Sequence, residues 1–589
     1  MKKFKKIFTI VVTLLMSIVT LVGCGTPTTN DEYKGKLVIE CGVFNGGYGY
    51  QWLENAASSF EQDYVDYKVG DLTGVKIRIN PDRQAGGNVM DSINVTENDM
   101  YFTEQMSNWR DFIDLNYLLD ITDVVTDPNP YGQGHSVVSS LKEGLAEMYG
   151  VPGVDGKLHY YTMPYANAFV GLTFDAELFY NKGLFLTKDY DDYGNEGKVD
   201  DYVISKIVTL PDGVNEYATL VTESGSTYYK TCLGDYLSMG PDGKYGTDDD
   251  GQAKTYNEFF NLCEYMLEEA NVYPFVYGGN VENYANWLLD QLWADYSGYE
   301  QTKVNFTFDG KLTNLISVST NGTITQLEDV LLVPDNSNGN AINITKTRGR
   351  YEALRFLSLM MQGDKKYMHD DCKTGYDQYR GQESFMLSKR DTVKGAYLMD
   401  GIWWENEATL QKTFEELEDS FGSTYNKKNR MFKLAALPKA DISMVGEENT
   451  IVDTGYQMAF VFNSISEEKR DIAKKFLQFC FTDAMNKRFT TDTSLVRPFN
   501  YTLSADEEKQ ITPFGKSLMN RMAASNIVYP FSSSTYFLSR DESLTPHTMF
   551  YTNIDSYNYI NIVEVIYEKG ASLSDAFNGI YSYAQGVGL

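Results

Sequence analysis

The densest group of side chains able to bind a metal ion lies in residues 240–251, GPDGKYGTDDDG. Three adjacent carboxylates with Asp242 nearby repel one another unless water or a hard cation such as calcium surrounds them. Asp248, Asp250 and Gly251 match positions three, five and six of an EF-hand loop, but positions one and twelve lack a carboxylate. Two interpretations stay open: a calcium loop held by Asp242, Asp248 and Asp250, or an exposed acidic turn.

Motifs for the commonest catalytic chemistries are absent from the sequence. There is no GxSxG, no P-loop, no GxGxxG opening a helix and no HExxH among the four histidines. We therefore expect neither a nucleotide site nor a zinc site. A glycoside hydrolase would need two carboxylates at a defined separation, and among 81 acidic residues no pair can be singled out. Glycan hydrolysis stays an open alternative.

Aromatic and amide side chains in loops offer another chemistry, the binding of a sugar. Aromatic residues make up 14% of the chain, with 44 Tyr against 32 Phe. Because a buried phenol needs a polar partner, an excess of Tyr is typical of surfaces and binding clefts. Oligosaccharide capture uses aromatic platforms beside amide donors and acceptors. From the loops that supply both we select six candidate ligand-binding residues: Asn45, Tyr48, Tyr101, Asn167, Asn283 and Tyr284.

The first of these residues lie in a predicted strand–helix–strand unit. Residues 36–43 form an apolar run of strand length, and a Gly-rich loop with Asn45 and Tyr48 follows. Val75, Ile77 and Ile79 alternate as the next strand. Such a unit predicts a parallel sheet, which binds ligands where loops leave the carboxyl ends of strands. No Lys or Arg accompanies the glycines, so we interpret the loop as sugar-facing, with an ordinary turn as the alternative. Apolar residues at helical spacing predict the intervening helix: Trp52, Leu53, Ala56, Ala57 and Phe60.

Residues 156–184 predict a chain that leaves one lobe and enters another. Pro164 interrupts a ladder of hydrogen bonds, and residues 168–174 then alternate as a longer strand. Asp175 is placed to cap a short helix that closes near Gly183.

Residues 187–254 are rich in Asp, Gly and Tyr and predict a β-rich insertion that includes a hairpin. Besides Cys24, five cysteines occur without CxxC spacing. Three of them fall on predicted apolar strand or helix faces, so we expect mainly buried free thiols; one disulfide stays open but cannot be paired from sequence.

The N-terminus predicts export and a lipid anchor. Four lysines precede an apolar run over residues 7–22, which is too short and wrongly flanked for a membrane-spanning helix. The run ends in Leu-Val-Gly-Cys24, which resembles a bacterial lipobox, in which cleavage precedes the cysteine and its thiol carries diacylglycerol. We expect residues 1–23 to be a signal peptide and 24–35 a flexible tether. A plain secretory leader is the alternative.

The charge of the chain excludes one class of partner. The formal net charge is −30, and removal of the four leader lysines lowers it to −34. Nucleic-acid binding needs clustered Lys and Arg, so we expect no nucleic-acid partner.

Several segments resemble a single family, in one order along the chain. Residues 156–184 carry Gly-Lys-Leu, Met-Pro-Tyr and YNKGL, residues 116–125 resemble an L-x-D-L-T segment, and residues 385–404 place tryptophans after a Gly turn. These segments are similar to those of the extracellular solute-binding proteins of sugar ABC transporters, the maltose-binding-protein-like group. The resemblance spans about residues 36–185 and 255–585. Ser388 departs from it, since Gly is usual there.

The resemblance implies an α/β, two-lobed periplasmic-binding-protein-like fold with a hinge and an interlobe ligand cleft. It places the N-terminal lobe in residues 36–160 and 455–525, and the C-terminal lobe in 161–454 and 526–589. It also implies that a tryptophan after Gly401 faces the cleft, which adds Trp403 and Trp404 to the candidates. We expect one of these two to be core and the other to be an exposed sugar platform.

The function that the resemblance implies is binding without catalysis. A monomeric lipoprotein on the outer face of the cell membrane would capture a carbohydrate, an oligosaccharide by preference, and deliver it to ABC permease subunits. Two alternatives stay open: a lipid-anchored glycoside hydrolase, and an adhesion or sensor lipoprotein without a transporter. Calcium is the one cofactor considered.

Overall fold

A computed structural model describes most of the chain after the tether. The predicted signal peptide, Cys24 and Ser388 lie outside the described residues. Within those residues, no helix is long and apolar enough to cross a membrane. The described residues are 33–82, 96–104, 109–132, 134–192, 199, 203–204, 217–278, 282–370, 372, 377–387, 394–453, 457–530, 550–552 and 561–586.

The strands form two main sheets, one small parallel pair and several short hairpins. The strands of the main sheets and of the parallel pair are β1 (Leu37–Phe44), β2 (Val75–Asp82), β3 (Met100–Thr103), β4 (Met163–Pro164), β5 (Val170–Asp175), β6 (Val272–Val276), β7 (Lys394–Gly401), β8 (Phe432–Leu434), β9 (Asn449–Val452), β10 (Met458–Val461) and β11 (Ser525–Val528). The hairpins pair Lys68–Val69 with Leu72–Thr73, Val151–Pro152 with Leu158–His159, Ala218–Glu223 with Ser226–Thr231, Gly310–Leu312 with Val330–Leu332, and Ile316–Val318 with Ile324–Gln326.

Helices cover both sheets. The longer ones are α1 (Gln51–Asp63), α2 (Ala176–Lys182), α3 (Tyr256–Tyr265), α4 (Glu282–Ser297), α5 (Tyr299–Thr307), α6 (Arg348–Lys365), α7 (Gln378–Met386), α8 (Trp404–Leu410), α9 (Thr413–Phe421), α10 (Glu467–Cys480), α11 (Asp483–Thr493), α12 (Pro513–Ala523) and α13 (Leu573–Gly586). Single-turn helices include Asp111–Asp114, Thr122–Thr126, Leu145–Tyr149, Lys188–Asp192 and Ala505–Glu508.

The first lobe is the part built on a five-stranded sheet of order β2-β1-β3-β10-β4. β1 runs parallel to β2, with Leu37 opposite Val75, and also parallel to β3. The predicted β–α–β unit is therefore confirmed. The predicted helix face is confirmed as well, because α1 buries all five of its members: Trp52, Leu53, Ala56, Ala57 and Phe60.

The second lobe is built on a four-stranded sheet of order β6-β7-β5-β8. The Asp175 carboxylate accepts hydrogen bonds from the backbone N–H groups of Glu177 (3.0 Å) and Leu178 (3.3 Å), which caps α2 as predicted. The helix ends at Gly183, whose φ of 63° is the left-handed conformation that glycine favours at a helix end. The parallel pair β9–β11 belongs to this lobe, since the Gln291 amide of α4 donates to the Val452 carbonyl at 2.8 Å.

Three chain segments connect the lobes side by side. The Tyr165 N–H donates to the Gln457 carbonyl (3.0 Å), and the Asn167 N–H donates to the Val496 carbonyl (3.1 Å). The Ala168 N–H donates to the Asp453 carboxylate at 3.1 Å. These bonds join segments far apart in sequence, and together they form the hinge between the two sheets.

The sheets assign two segments to lobes other than those in the predicted division. β4 (Met163–Pro164) pairs with β10 in the first lobe, although the predicted boundary followed residue 160. Helix α12 packs on the second lobe rather than the first: the Ser517 hydroxyl accepts from the Leu434 N–H at 2.8 Å, and the rings of Phe514 and Trp404 are 5.6 Å apart. Helix α12 follows the connecting segment that contains Val496, so the chain has already entered the second lobe when α12 begins.

Two local expectations can be compared with the structure. The insertion contains a hairpin as predicted, at residues 218–231. Cys41, Cys263, Cys372 and Cys480 are buried free thiols, whereas the free thiol of Cys232 is exposed.

Candidate functional site

The indole of Trp403 lies between a glycine of each lobe. Gly401 ends β7 in the second lobe, and Gly47 lies in the loop that follows β1 in the first lobe. A Cβ atom placed on either glycine would overlap the Trp403 ring. Only glycine allows the backbone of both lobes to approach the indole this closely. Trp403 therefore joins the lobes in this structure, and 4% of its surface is exposed.

Three further aromatic rings surround Trp403. Tyr48 of the first lobe is 5.6 Å from it, measured between ring centroids, at an interplanar angle of 39°. Tyr284 and Trp287 of α4 stand at 6.2 and 6.1 Å and at 71° and 80°. These are ordinary distances for interacting aromatic pairs. We call these four residues, Tyr48, Tyr284, Trp287 and Trp403, the interlobe aromatic cluster.

A polar network supports the cluster from the second lobe. Tyr284, whose ring is 6.2 Å from that of Trp403, lies near the carboxylate of Asp400, and burial together with the Asp400 charge raises the pKa of the Tyr284 phenol. The Gln382 amide donates to Asp400 at 3.0 Å and to Glu407 at 2.7 Å. Burial raises the pKa of Asp400 to about 7, although the hydrogen bonds that its carboxylate accepts lower it in part.

A buried carboxyl group faces the cluster from the first lobe. Glu104 follows β3 directly, and 6% of its surface is exposed. Burial is the only cause that raises its pKa, to about 8. At neutral pH most of this group is therefore protonated in the closed molecule. Glu104 leaves the sheet beside the loop with Asn45 and Tyr48, because Val43 of β1 pairs with Phe102 of the parallel β3.

The structure separates the two adjacent tryptophans. Trp404 is fully buried inside the second lobe, with its ring 5.2 Å from Phe432 and 5.9 Å from Phe385. The expectation that one tryptophan is core is met by Trp404. The expectation that the other is exposed is wrong, because the first lobe covers Trp403 when the lobes are in contact.

Tyr101 lies apart from the interlobe aromatic cluster. Its ring stacks on Phe460 at 6.0 Å inside the first lobe, and its hydroxyl accepts from the Asn98 amide at 2.7 Å. Adjacent residues of a strand face opposite sides of the sheet, so it is Phe102 that points toward Trp52 and Tyr165. Tyr101 is thus brought to the lobe core rather than to the cluster.

The three candidate asparagines have different positions. Asn45 lies in the same loop as Tyr48, and its buried Oδ1 has no hydrogen-bond partner. Asn167 lies in the hinge, where its Oδ1 accepts from the Tyr529 hydroxyl at 3.4 Å. Asn283 is in the first turn of α4, and its side chain lies outside what the structure describes.

The carboxylates of the acidic loop bond mainly to their own backbone. Asp242 accepts from the Lys244 N–H at 2.8 Å, Asp250 accepts from the Gly246 N–H at 2.7 Å, and Asp248 bonds to the Asn520 amide at 2.5 Å. In the described part of the chain, no three His, Cys, Asp or Glu side chains are grouped to hold a metal ion. Burial raises the pKa of Asp250 to about 7. The loop borders an acidic groove of about 400 Å³.

Sequence reasoning did not single out Glu104, Asp400 or Trp287 as residues of the site. Glu104 had a usable signal, because it stands at the carboxyl end of a strand in a parallel part of the sheet. Asp400 and Gln382 had no such signal in the sequence, because the contact between them depends on how α7 packs against β7.

No family of known sequences and no curated protein matches this chain. Solved structures do match it. RafE from Streptococcus pneumoniae, in its apo form, superimposes with a TM-score of 0.50 and 10% identity over 94% of this chain and 99% of its own. A chitin oligosaccharide binding protein gives a TM-score of 0.50 and 11% identity over 94% and 99%. The chain has a two-lobed periplasmic-binding-protein-like fold. The fold class that the sequence resemblance implied is thereby confirmed.

Proposed function

We propose that this protein binds a carbohydrate between its lobes and delivers it to the permease of an ABC importer. The observation that carries the proposal is the interlobe aromatic cluster, in which Trp403 of one lobe meets Tyr48 of the other at loops that follow sheet strands. Indole and phenol rings bury the apolar faces of sugars while their N–H and O–H groups bond hydroxyls. The fold shared with a chitin oligosaccharide binding protein supports an oligosaccharide as the ligand.

In this proposal the ligand replaces part of the contact between the lobes. Hinge motion about the three crossing segments opens the cleft, and closure around the sugar rebuilds the cover of Trp403. The two glycines leave the indole face bare, so a sugar ring can lie where the first-lobe backbone lies in the closed molecule. Asn45, Tyr48 and Glu104 would supply polar groups from the first lobe.

A thermal-shift screen of the mature protein against an oligosaccharide panel tests this function. A ligand that binds only the folded state stabilises it by mass action and so raises the melting temperature. At a free ligand concentration a hundred times Kd, the free energy of unfolding rises by about 2.7 kcal/mol. The Trp403→Ala variant should lose the shift. A panel of neutral, basic and acidic glycans that gives no shift in the wild-type protein would overturn the proposal.

Hydrolysis is the second candidate, and the raised pKa values of Glu104 and Asp400 favour it, since a general acid needs such a carboxyl group. Release of reducing ends from the bound oligosaccharide distinguishes the two functions. Steady release that Glu104→Gln abolishes would identify an enzyme. Binding without release identifies a receptor.

We propose that the mature protein is anchored outside the cell by a lipid on Cys24, as the sequence order of the leader suggests. Fractionation of cells expressing the wild type and Cys24→Ala tests the anchor. The variant should move from the membrane to the medium. Equal membrane retention of both proteins would contradict it.

We also propose calcium as a ligand of the loop Asp242 to Asp250. The test compares melting temperatures in calcium and in chelator for the wild type and for Asp248→Ala/Asp250→Ala. Calcium should stabilise only the wild type, at a pH above 7 where Asp250 is ionised. If both proteins shift equally, or neither does, the loop is an acidic turn.

A further inference from the structure

Glu104 is a buried carboxyl group whose environment is incomplete. It lies at the carboxyl end of β3 with 6% of its surface exposed, and burial, with no opposing hydrogen bond or cation among the causes, raises its pKa to about 8. A buried carboxylate without either partner costs far more free energy than a satisfied one. A binding protein that keeps such a group has a use for it when the cleft is occupied.

The sheet places Glu104 beside the loop that carries Tyr48. β1 and β3 are parallel neighbours in which Val43 pairs with Phe102, so the loop with Asn45 and Tyr48 and the segment with Glu104 leave the same edge of the sheet. Tyr48 belongs to the interlobe aromatic cluster, with its ring 5.6 Å from that of Trp403. Glu104 therefore lies on the first-lobe side of the junction, beside the proposed sugar platform.

Two further polar atoms near this junction have no partner among the described residues. They are the hydroxyl of Tyr48, of which 1% is exposed, and the buried Oδ1 of Asn45 in the same loop. An unsatisfied buried polar group costs free energy, so a ligand that completes these bonds gains affinity. The carboxylate and the amide oxygen are acceptors, and a phenol oxygen also accepts.

On the premise of the proposed carbohydrate function, we propose that the ligand is an amino sugar whose protonated amine pairs with Glu104 beside Tyr48 and Trp403. An ammonium group brings three donors and no acceptor, which matches the unpaired acceptors of this junction. Aromatic faces attract a cation within about 6 Å of the ring centre. A neutral hydroxyl leaves the charge of an ionised Glu104 uncompensated, and an acidic sugar adds a like charge.

The long-range field of the protein acts in the same direction. The formal net charge of −30 attracts cationic solutes and repels anionic ones, which raises the association rate of the former at low salt. The specificity itself is local and depends on Glu104.

Calorimetry with matched sugars tests the inference. The probes are glucosamine, galactosamine and the β-1,4-linked glucosamine trimer, each beside its N-acetylated and its neutral hydroxyl counterpart. We expect the free amine to bind at least about tenfold more tightly than either counterpart. Glu104→Gln should remove this preference with little change in neutral-sugar affinity, while Glu415→Gln on the surface should leave it intact.

A second variant protects the test from misfolding. Tyr48→Phe keeps the ring and removes the hydroxyl acceptor, and it should weaken amine binding about threefold to tenfold. Equal or tighter binding of the neutral or N-acetylated sugars overturns the inference and leaves the carbohydrate function standing. If neither these probes nor the wider glycan panel bind, both the inference and the proposed function fall.

Discussion

Trp403 and Trp404 are adjacent, of one type and both buried, yet they belong to different regions of the molecule. The rings around Trp404 come from the second lobe alone, from Phe385, Phe432 and Phe514. The cover of Trp403 includes Gly47 and Tyr48 of the first lobe. Burial alone therefore does not distinguish a core residue from a binding residue. The distinction depends on which lobe supplies the residues that cover the side chain.

The largest expected effect is on the Trp404 side of this comparison. Trp404→Ala should lower the free energy of unfolding by about 3–5 kcal/mol, because it leaves a cavity among rings that cannot move apart. Chemical denaturation measures this loss. Trp403→Ala is the matched variant, and it should lose clearly less, since hinge motion exchanges its cover for water. Equal losses would remove the distinction between the two regions.

Trp403→Ala should instead act on ligand affinity. We expect a loss of at least about 2 kcal/mol, roughly thirtyfold in Kd, because truncation of an aromatic anchor removes the main stacking face. Calorimetry with the ligand from the glycan screen measures it. Trp404→Phe, which keeps a ring in the core, serves as the control and should bind as the wild type does. Wild-type affinity in Trp403→Ala would place the sugar platform elsewhere.

Gly47→Ala sharpens the comparison by changing the lobe contact without touching the tryptophan. The added Cβ overlaps the Trp403 indole only when the lobes are closed, and overpacking of this kind costs about 1–3 kcal/mol. Small-angle scattering of the ligand-free variant should show a larger radius of gyration. Gly132→Ala, whose Cβ would sit 3.7 Å from Asn129, should leave the radius unchanged. An unchanged radius in Gly47→Ala would mean that the lobes do not close on Trp403 in solution.

Titration of Glu104 tests the interlobe region through the pH dependence of stability. Glu104 keeps its proton in the closed molecule up to about pH 8, whereas in the unfolded chain it ionises near pH 4.3. Between these values the folded state holds the additional proton, so stability falls as pH rises. Melts across pH 5 to 8 should show this decline, and Glu104→Gln should flatten it relative to Glu415→Gln. Identical pH profiles for the two variants would contradict the burial of Glu104.

Local pattern predicted much of this architecture. The five apolar residues of α1, the Asp175 cap and the Gly183 helix end each depend on neighbours within a few positions, so the sequence carries the signal. The sequence also showed Gly401 before Trp403, but it did not show that glycine is needed there because the indole approaches the backbone closely. Resemblance to a family supplied the two-lobed arrangement, which no local pattern contains.

What could not be predicted depends on contacts between distant segments. Tyr101 and Phe102 are equally plausible ligand residues in sequence, and only the packing of β3 beside β10 decides which side of the sheet each faces. The burial of Trp403 requires the position of Gly47, more than 350 residues earlier in the chain. The burial of Glu104 likewise depends on the packing of β3 beside β1 and has no signal in the local sequence.

The position of Trp403 gives the protein an optical reporter of its own hinge. Of its six tryptophans, Trp52, Trp109, Trp293 and Trp404 are almost fully buried, with 0–1% of their surfaces exposed. Opening the cleft brings solvent to Trp403 and to its neighbour Trp287, and water around an indole shifts its emission to longer wavelength. Intrinsic fluorescence can therefore follow lobe closure during a sugar titration without a label, and the Trp403→Ala protein identifies how much of the spectral change comes from this ring.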